Sequence, residues 1–221
     1  METDSHRGSW YGPIMKIGIL AIQGDYEAHS KMLSRLGVKW TYVRRPEDID
    51  GIAGIILPGG ESTTHIKVMR EEGLWDALKQ FAARGGAFFG TCAGAILLAR
   101  EVHNPPQASL ELLDVSILRN AYGRQLASDV HEGKTKLSDR PIEMVFIRAP
   151  VIESIGAGVE VLAKDAAHPV LVQQGRILAA TFHPELTDDP TVHRHFLEMI
   201  RQNGGKDTAE EATEETASSL S

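Results

Sequence analysis

AFFGTCAGAILLA (residues 87–99) reads as a buried strand, AFF, turning directly into a buried helix, AGAILLA, through Gly90-Thr91-Cys92-Ala93-Gly94. The G-x-Cys-x-G pattern has the form of a nucleophile elbow, a tight strand-to-helix turn. Small neighbours are needed there because a strained turn leaves no room for side chains where the backbone and the next helix pack closely. The helix N-terminus that follows would help the sulfur carry negative charge. Cys92 is the only cysteine of the chain, so no internal disulfide and no thiolate zinc cluster can form. It is either a small core residue or a reactive thiol. No Lys-Ser/Thr pair follows, which argues against a phosphate-binding loop of the P-loop kind.

Working outward, apolar runs of strand length alternate with helical patterns. Upstream, KIGILAIQ (Lys16–Gln23), KWTYV and GIILP (Gly54–Pro58) read as strands, and Tyr26–Leu36, Thr63–Glu71 and Leu74–Arg84 as helices. Downstream, DVSILR, IEMVFIR, VEVLA, PVLVQQ and RILAATF are short β runs with few helices between them, before a final helix from about Pro190 to Gln202. This order predicts an α/β fold: a mainly parallel sheet with helices on both faces and antiparallel additions in the C-terminal half. Reactive groups of such sheets collect in the loops that leave the carboxyl ends of the strands.

The chain has 221 residues, 42% hydrophobic and 24% charged, enough for one sizeable core. A net charge of -7 without a concentrated basic stretch argues against general affinity for nucleic-acid phosphates. No apolar run approaches the ~18 to 20 residues that cross a bilayer, and the N-terminus lacks the order of a secretory signal. A cytoplasmic location is the expectation. Residues 1–14 carry no periodic pattern before a second methionine, Met15, and read as a leader, vector-derived or disordered. Residues 204–221, acidic and rich in Ser and Thr, read as a solvated tail. The catalytic domain is then 15–203.

Two further loops carry chemistry. Thr181-Phe182-His183-Pro184-Glu185 follows RILAATF; in an extended chain His183 and Glu185 face one side while Pro184 stiffens the backbone. His183 could serve Cys92 as a base, with Glu185 holding its tautomer. Leu57-Pro58-Gly59-Gly60-Glu61-Ser62 offers unobstructed main-chain N–H groups for an oxyanion or a carboxylate; a Gly-Gly turn with a Ser/Thr helix cap explains the same letters. His193 and His195 lie two apart in a helix, on different faces, and His29, His65, His103, His131 and His168 have no ligand-spaced partner, so no metal is assigned.

PGGEST, GTCAG and FHPEL, in this order, resemble the triad-type (class I) glutamine amidotransferases. AIQGDYEAH, RNAYGRQ and FIRAP resemble, more narrowly, the glutaminase subunits of pyridoxal 5'-phosphate synthase, over about Met15 to Gln202. The resemblance implies a class I glutamine amidotransferase-like fold that needs no cofactor for hydrolysing L-glutamine. It implies Cys92 as nucleophile, His183 as general acid/base and Glu185 as its orienter. It implies glutamine binding by Gly60, Glu61, Ser62, Arg119, Ile147 and Arg148, and an oxyanion hole near Gly59, Gly60 and Ala93. Gln23 and Gly24 belong, by the same likeness, near a partner interface or the oxyanion hole. The implied partner is a separate synthase subunit that receives the ammonia. Taken alone, Arg119 and Arg148 also fit ordinary surface ion pairs. The alternatives are a glutaminase of another pathway, a γ-glutamyl hydrolase and a catalytically silent regulatory subunit.

Overall fold

The computed structural model describes residues 15–120 and 128–202. The expected leader and acidic tail lie outside the described residues, as does most of RNAYGRQ. The elements run β1 (Lys16–Leu20), α1 (Tyr26–Arg35), β2 (Lys39–Val43), a 3-10 turn (Pro46–Ile49), β3 (Gly54–Leu57), α2 (Ser62–Glu71), α3 (Leu74–Ala83), β4 (Ala87–Thr91) and α4 (Ala93–Leu98). Then follow β5 (Ala99–His103), β6 (Leu113–Leu118), β7 (Ser128–Thr135), β8 (Ser138–Ile147), β9 (Val151–Ile155), β10 (Glu160–Asp165), β11 (His168–Gln174), β12 (Ile177–Ala180), a second 3-10 turn (Pro184–Leu186) and helix α5, 191–202.

Nine strands form the main sheet in the order β2-β1-β3-β4-β12-β11-β10-β7-β8. The first five are mutually parallel and the remaining pairings are antiparallel. This is the expected α/β architecture with antiparallel additions from the C-terminal half. The central strands are buried on both faces, which is why they read as unbroken apolar runs. Successive side chains go to opposite sides: Ile55, Leu57 and Phe88 join one core with Met69, Leu78 and Leu97, while Ile56 and Phe89 join a second with Leu33, Phe182 and Phe196. Helices α2, α3 and α4 thus cover one face, and α1 and α5 the other. Phe88 and Phe89 are fully buried, and each is worth on the order of 3–5 kcal/mol against alanine.

Four elements depart from the expectation, one of them β9 (Val151–Ile155), a strand with no counterpart among the expected runs. DVSILR does not extend the main sheet: as β6 it lies between β5 and β9 in a separate three-stranded sheet. Its alternation buries Leu113, Val115 and Ile117 against the α4 side of the core and leaves Asp114 and Ser116 outward, so the run marks a half-buried strand without saying which sheet it joins. Strand β7 has no counterpart among the expected strands because SDVHEGKT lacks an apolar face; its ladder to β8 holds it extended. Helix α4 stops at Leu98, and Ala99 opens β5 instead of closing the helix.

At the β4–α4 corner main chain packs directly on main chain. A Cβ on Gly90 would strike the main chain of Gly94, and a Cβ on Gly94 would strike the carbonyl of Leu57 at the end of β3. Neither obstacle can swing aside, because both are backbone. We predict that Gly94→Ala lowers the unfolding free energy by about 3 kcal/mol. Gly37→Ala, at φ +69 with nothing within 4 Å, should lose only the left-handed penalty of about 1 kcal/mol. Urea unfolding midpoints compare the two; equal losses would rule out close approach as the cause.

Candidate active site

Strands β1, β3, β4 and β12 lie side by side and parallel, so their carboxyl ends open on one edge. From that edge come Gln23, Gly24 and Asp25 after β1, Gly59 to Ser62 after β3, Cys92 after β4, and His183 and Glu185 after β12. The β4–β12 ladder continues past the strands: the Cys92 N–H donates to the Ala180 carbonyl at 2.9 Å. The His183 N–H donates to the Val145 carbonyl at 2.8 Å, tying the same loop to β8. Cys92 sits at φ 47, ψ -102, a conformation that a side chain adopts only where its surroundings enforce it.

His183 Nδ1–H donates to Glu185 Oε1 at 2.9 Å, and both side chains are buried. The reason differs from the sequence argument. Residues 184–186 form a 3-10 turn with His183 at its head, so the two side chains meet across a turn and not along one side of an extended strand. Burial alone would lower the His183 pKa; the nearby Cys92 sulfur and the hydrogen-bonded Glu185 carboxylate outweigh it and raise the imidazole to about 10. Burial would raise the Glu185 carboxyl; His29, then His183, hold it far below the ordinary carboxylate range. The arrangement therefore favours an imidazolium beside a carboxylate. The thiol itself points to the Ile147 carbonyl at 3.9 Å, and His183 Nε2, buried, has no aligned hydrogen-bond partner among the described residues. Sulfur and imidazole are close enough to influence each other yet not aligned in this state.

A cavity of about 360 Å³ opens above the sulfur, lined by Gln23, Asp25, Gly60, Glu61, Ser62, Cys92, Ile96, Arg119, Asn120, Ile147, Arg148 and His183. The sequence-selected Gly60, Glu61, Ser62, Arg119, Ile147, Arg148 and Gln23 all face it. Glu185 stands behind His183. Gly59, Gly24 and Ala93 lie beneath: a Cβ on Gly59 would strike His183 Cε1, a Cβ on Gly24 would strike the Gly59 carbonyl, and Ala93 is buried at the start of α4. Gly60 has φ 136, which glycine alone adopts freely. Arg119 Nη2 donates to Glu61 Oε1 at 3.2 Å, and Gln23 Nε2 donates to the Glu61 carbonyl at 2.8 Å. Cationic Arg119 and Arg148 with anionic Glu61 and Asp25 give the cavity both signs of charge, which suits a zwitterionic amino acid.

Ser62 is not a helix cap. It is the first residue of α2, after Glu61, and its hydroxyl donates to Gln107 Oε1 at 2.9 Å. Sequence reasoning misses Asp25, 3.6 Å from His183 Nδ1, and Asn120 and Ile96 on the cavity wall. Ligand spacing also passes over His29 and His193, although both are fully buried and contact each other. A signal exists for His29: it falls on the buried face of α1 with Met32 and Leu33, where a polar residue needs a partner. Among the described residues, Asp25, His183 and Glu185 are the one set of three whose ligand atoms all lie within 4.8 Å of one another. A cation there would have to displace the proton that His183 Nδ1 shares with Glu185.

Comparison with known proteins supplies relatives for this arrangement. The chain is 51% identical over 193 residues to "Pyridoxal 5'-phosphate synthase subunit PdxT" of Koribacter versatilis, covering 87% of this chain and 100% of that one. It is 49% identical over 188 residues to the protein of the same name from Deinococcus radiodurans, covering 83% and 96%. A crystal structure of a glutamine amidotransferase superposes with a TM-score of 0.79 at 47% identity, covering 83% of this chain and 98% of that one. A chain of the PurLQS structure from Thermotoga maritima shares the fold at a TM-score of 0.61 and 17% identity, covering 85% of this chain and 100% of that one. The model of the SNO glutamine amidotransferase family matches residues 19–202, a span that includes every strand-end loop of the cavity, and the chain belongs to that family.

Proposed function

We propose that the chain hydrolyses L-glutamine to L-glutamate and ammonia as the glutaminase subunit of a pyridoxal 5'-phosphate synthase. The observation that carries this reading is the meeting of Cys92, His183 and Glu185 at the mouth of a cavity with both signs of charge. Family membership and relatives named as synthase subunits support it.

Arg119 and Arg148 receive the α-carboxylate, and Glu61 the α-ammonium, which turns the side-chain amide toward Cys92. The thiolate attacks the δ-carbonyl, and main-chain N–H groups near Ala93 and the Gly59-Gly60 loop take the oxyanion. His183, protonated and steadied by Glu185, gives its proton to the departing ammonia. The same imidazole then draws a proton from water, which cleaves the γ-glutamyl thioester, releases glutamate and restores the thiolate beside the imidazolium. No step calls on a cofactor.

Ammonia released into water is protonated and diluted, so its use requires direct transfer to an acceptor site on a second subunit. Gln23, hydrogen-bonded to the Glu61 carbonyl, and Gly24, packed on Gly59, tie the β1 loop to the Gly-Gly loop. A synthase subunit docked on the β1 loop would therefore act on the oxyanion donors and bring sulfur and imidazole into line. Among the described residues, no helix is long and apolar enough to cross a membrane.

Steady-state ammonia release should be low for the chain alone and rise several-fold with the synthase subunit. Equal turnover in both conditions would reject the coupling. Cys92→Ala should lose at least about a thousandfold in turnover. Arg119→Ala should raise KM roughly 10- to 100-fold with a smaller change in kcat, the loss expected for a charged hydrogen bond.

The pH behaviour follows from the raised imidazole. A folded pKa of about 10 against the ordinary 6.5 means that this proton stabilises the fold fully below pH 6.5 and that the contribution fades as pH rises through about 10. Histidine NMR should show the His183 ring protonated at pH 8. Glu185→Gln should lower its titration by more than about one unit; an unshifted titration would remove Glu185 as its electrostatic partner.

A further inference from the structure

Two histidines sit in the apolar core behind the triad with no part in the chemistry described. His29, on α1, and His193, on α5, are fully buried, with Phe89 edge-on to both rings. A leucine or phenylalanine would fill the space without desolvating two imidazoles, each of which costs roughly 1–3 kcal/mol unless paired. The pairing runs in one direction. His29 Nδ1 and His193 Nε2 are 2.9 Å apart, and His29 Nε2 lies 3.2 Å from Thr91 Oγ1 and 3.4 Å from Glu185 Oε1. The Thr91 hydroxyl donates to the same Oε1 at 3.3 Å, as does His183 Nδ1–H at 2.9 Å. Three donors thus converge on one carboxylate oxygen, while Oε2 is buried without a partner among the described residues.

We propose that His29 and His193 are positioning residues for amide hydrolysis: a buried imidazole pair that fixes Glu185 from behind and, through it, the tautomer and charge of His183. The inference rests on the glutaminase reading above.

Proton placement supports the direction. Burial, then the proximity of His29, lowers the His193 pKa to about 3, so this ring holds a single proton at working pH. Its Nδ1 has no partner among the described residues. A stranded buried N–H is rarer than a bare acceptor, so the proton belongs on Nε2, donating to His29 Nδ1. His29 Nε2 faces a carboxylate oxygen that can only accept, so it carries a proton aimed at Glu185 and Thr91. The titratable groups facing the pair are Glu185 directly and, beyond it, His183, Asp25 at 3.6 Å from His183 Nδ1, and Cys92. Neither His29 nor His193 lines the cavity, so their loss should act on kcat and leave KM nearly unchanged.

Because Cys92 is the only cysteine, the pH dependence of iodoacetamide alkylation of the full chain reports the state of the triad without reference to any substrate. Gln carries its amide nitrogen about where histidine carries Nε2, and Asn about where it carries Nδ1. His29→Gln and His193→Gln therefore keep the donor that matters, while His29→Asn and His193→Asn lose it at similar cost in packing. Losing that donor frees Glu185 to turn away from His183, which weakens the imidazolium and hence the thiolate. The rise of alkylation in the two Asn variants should move up by about one pH unit. Their glutamine turnover with the synthase subunit should fall roughly 10- to 100-fold, less than the about ten-thousandfold typical of losing a triad orienter itself. The Gln variants should stay within about threefold of wild type. Alkylation profiles that coincide for Asn and Gln variants would overturn the proposal. Should the Asn variants fail to fold, imidazole nitrogen NMR of the wild type decides: protons on Nε2 of both rings support it, and a proton on His193 Nδ1 overturns it. If the profiles separate as stated while wild type with synthase releases no ammonia from glutamine, the glutaminase reading fails and the positioning stands.

Discussion

The hydrogen bond from the Cys92 N–H to the Ala180 carbonyl, 2.9 Å long, holds the whole site in register. It carries the parallel β4–β12 pairing one residue past the end of β4 and clamps the sulfur-bearing turn to the strand whose next loop holds His183 and Glu185. Helical crossovers return β1, β3 and β4 to the sheet in one direction, and β12 joins them through an antiparallel hairpin with β11. Their carboxyl ends then share an edge without any local sequence specifying the contact. The strain at Cys92 is tolerable because its flanks are fixed: Gly90 and Gly94 pack main chain on main chain, and Gly94 rests on the Leu57 carbonyl. Stability and function meet at this corner, since the close packing that holds the fold also presents the sulfur.

Electrostatically the site is layered. Glu185 Oε1 is the hub, taking donors from His183 toward the cavity and from Thr91 and His29 toward the core. A buried carboxylate is costly unless saturated with donors, and these imidazoles are what keep it charged. The charge on Glu185 in turn favours the protonated form of His183 that the proposed mechanism needs when ammonia departs. Farther out, the pairing of Arg119 with Glu61 keeps two oppositely charged groups at the cavity wall before any substrate arrives.

Much of this is legible in the sequence, for identifiable reasons. The central strands announce themselves because burial on both faces leaves runs such as GIIL and AFF without polar interruption. Cys92, His183 and Glu185 stand out because each follows such a strand, and strand ends are where chemistry gathers. Other parts have no local signal. SDVHEGKT is held extended by its pairings with β8 and β10, and DVSILR reads the same whichever sheet it enters. The meeting of His183 with Glu185 is as expected, but for a different local reason: a 3-10 turn, not an extended run, brings the ring to the carboxylate. His29 and His193 escape notice because their relation spans 164 positions and exists only once α1 and α5 pack on the same face. Spacing rules suited to one helix do not reach across two.

The proposed mechanism turns on a covalent step: glutamine acylates the lone sulfur before water releases glutamate. Intact-mass measurement can catch that step on protein mixed with glutamine and the proposed synthase subunit, then quenched in acid within the first turnovers. A chain heavier by one glutamyl group is expected, with the label on the peptide containing Cys92 and disappearing when glutamine is exhausted. Sustained ammonia production from a chain that stays unmodified at every quench time, or a label on another residue, would refute covalent catalysis at Cys92.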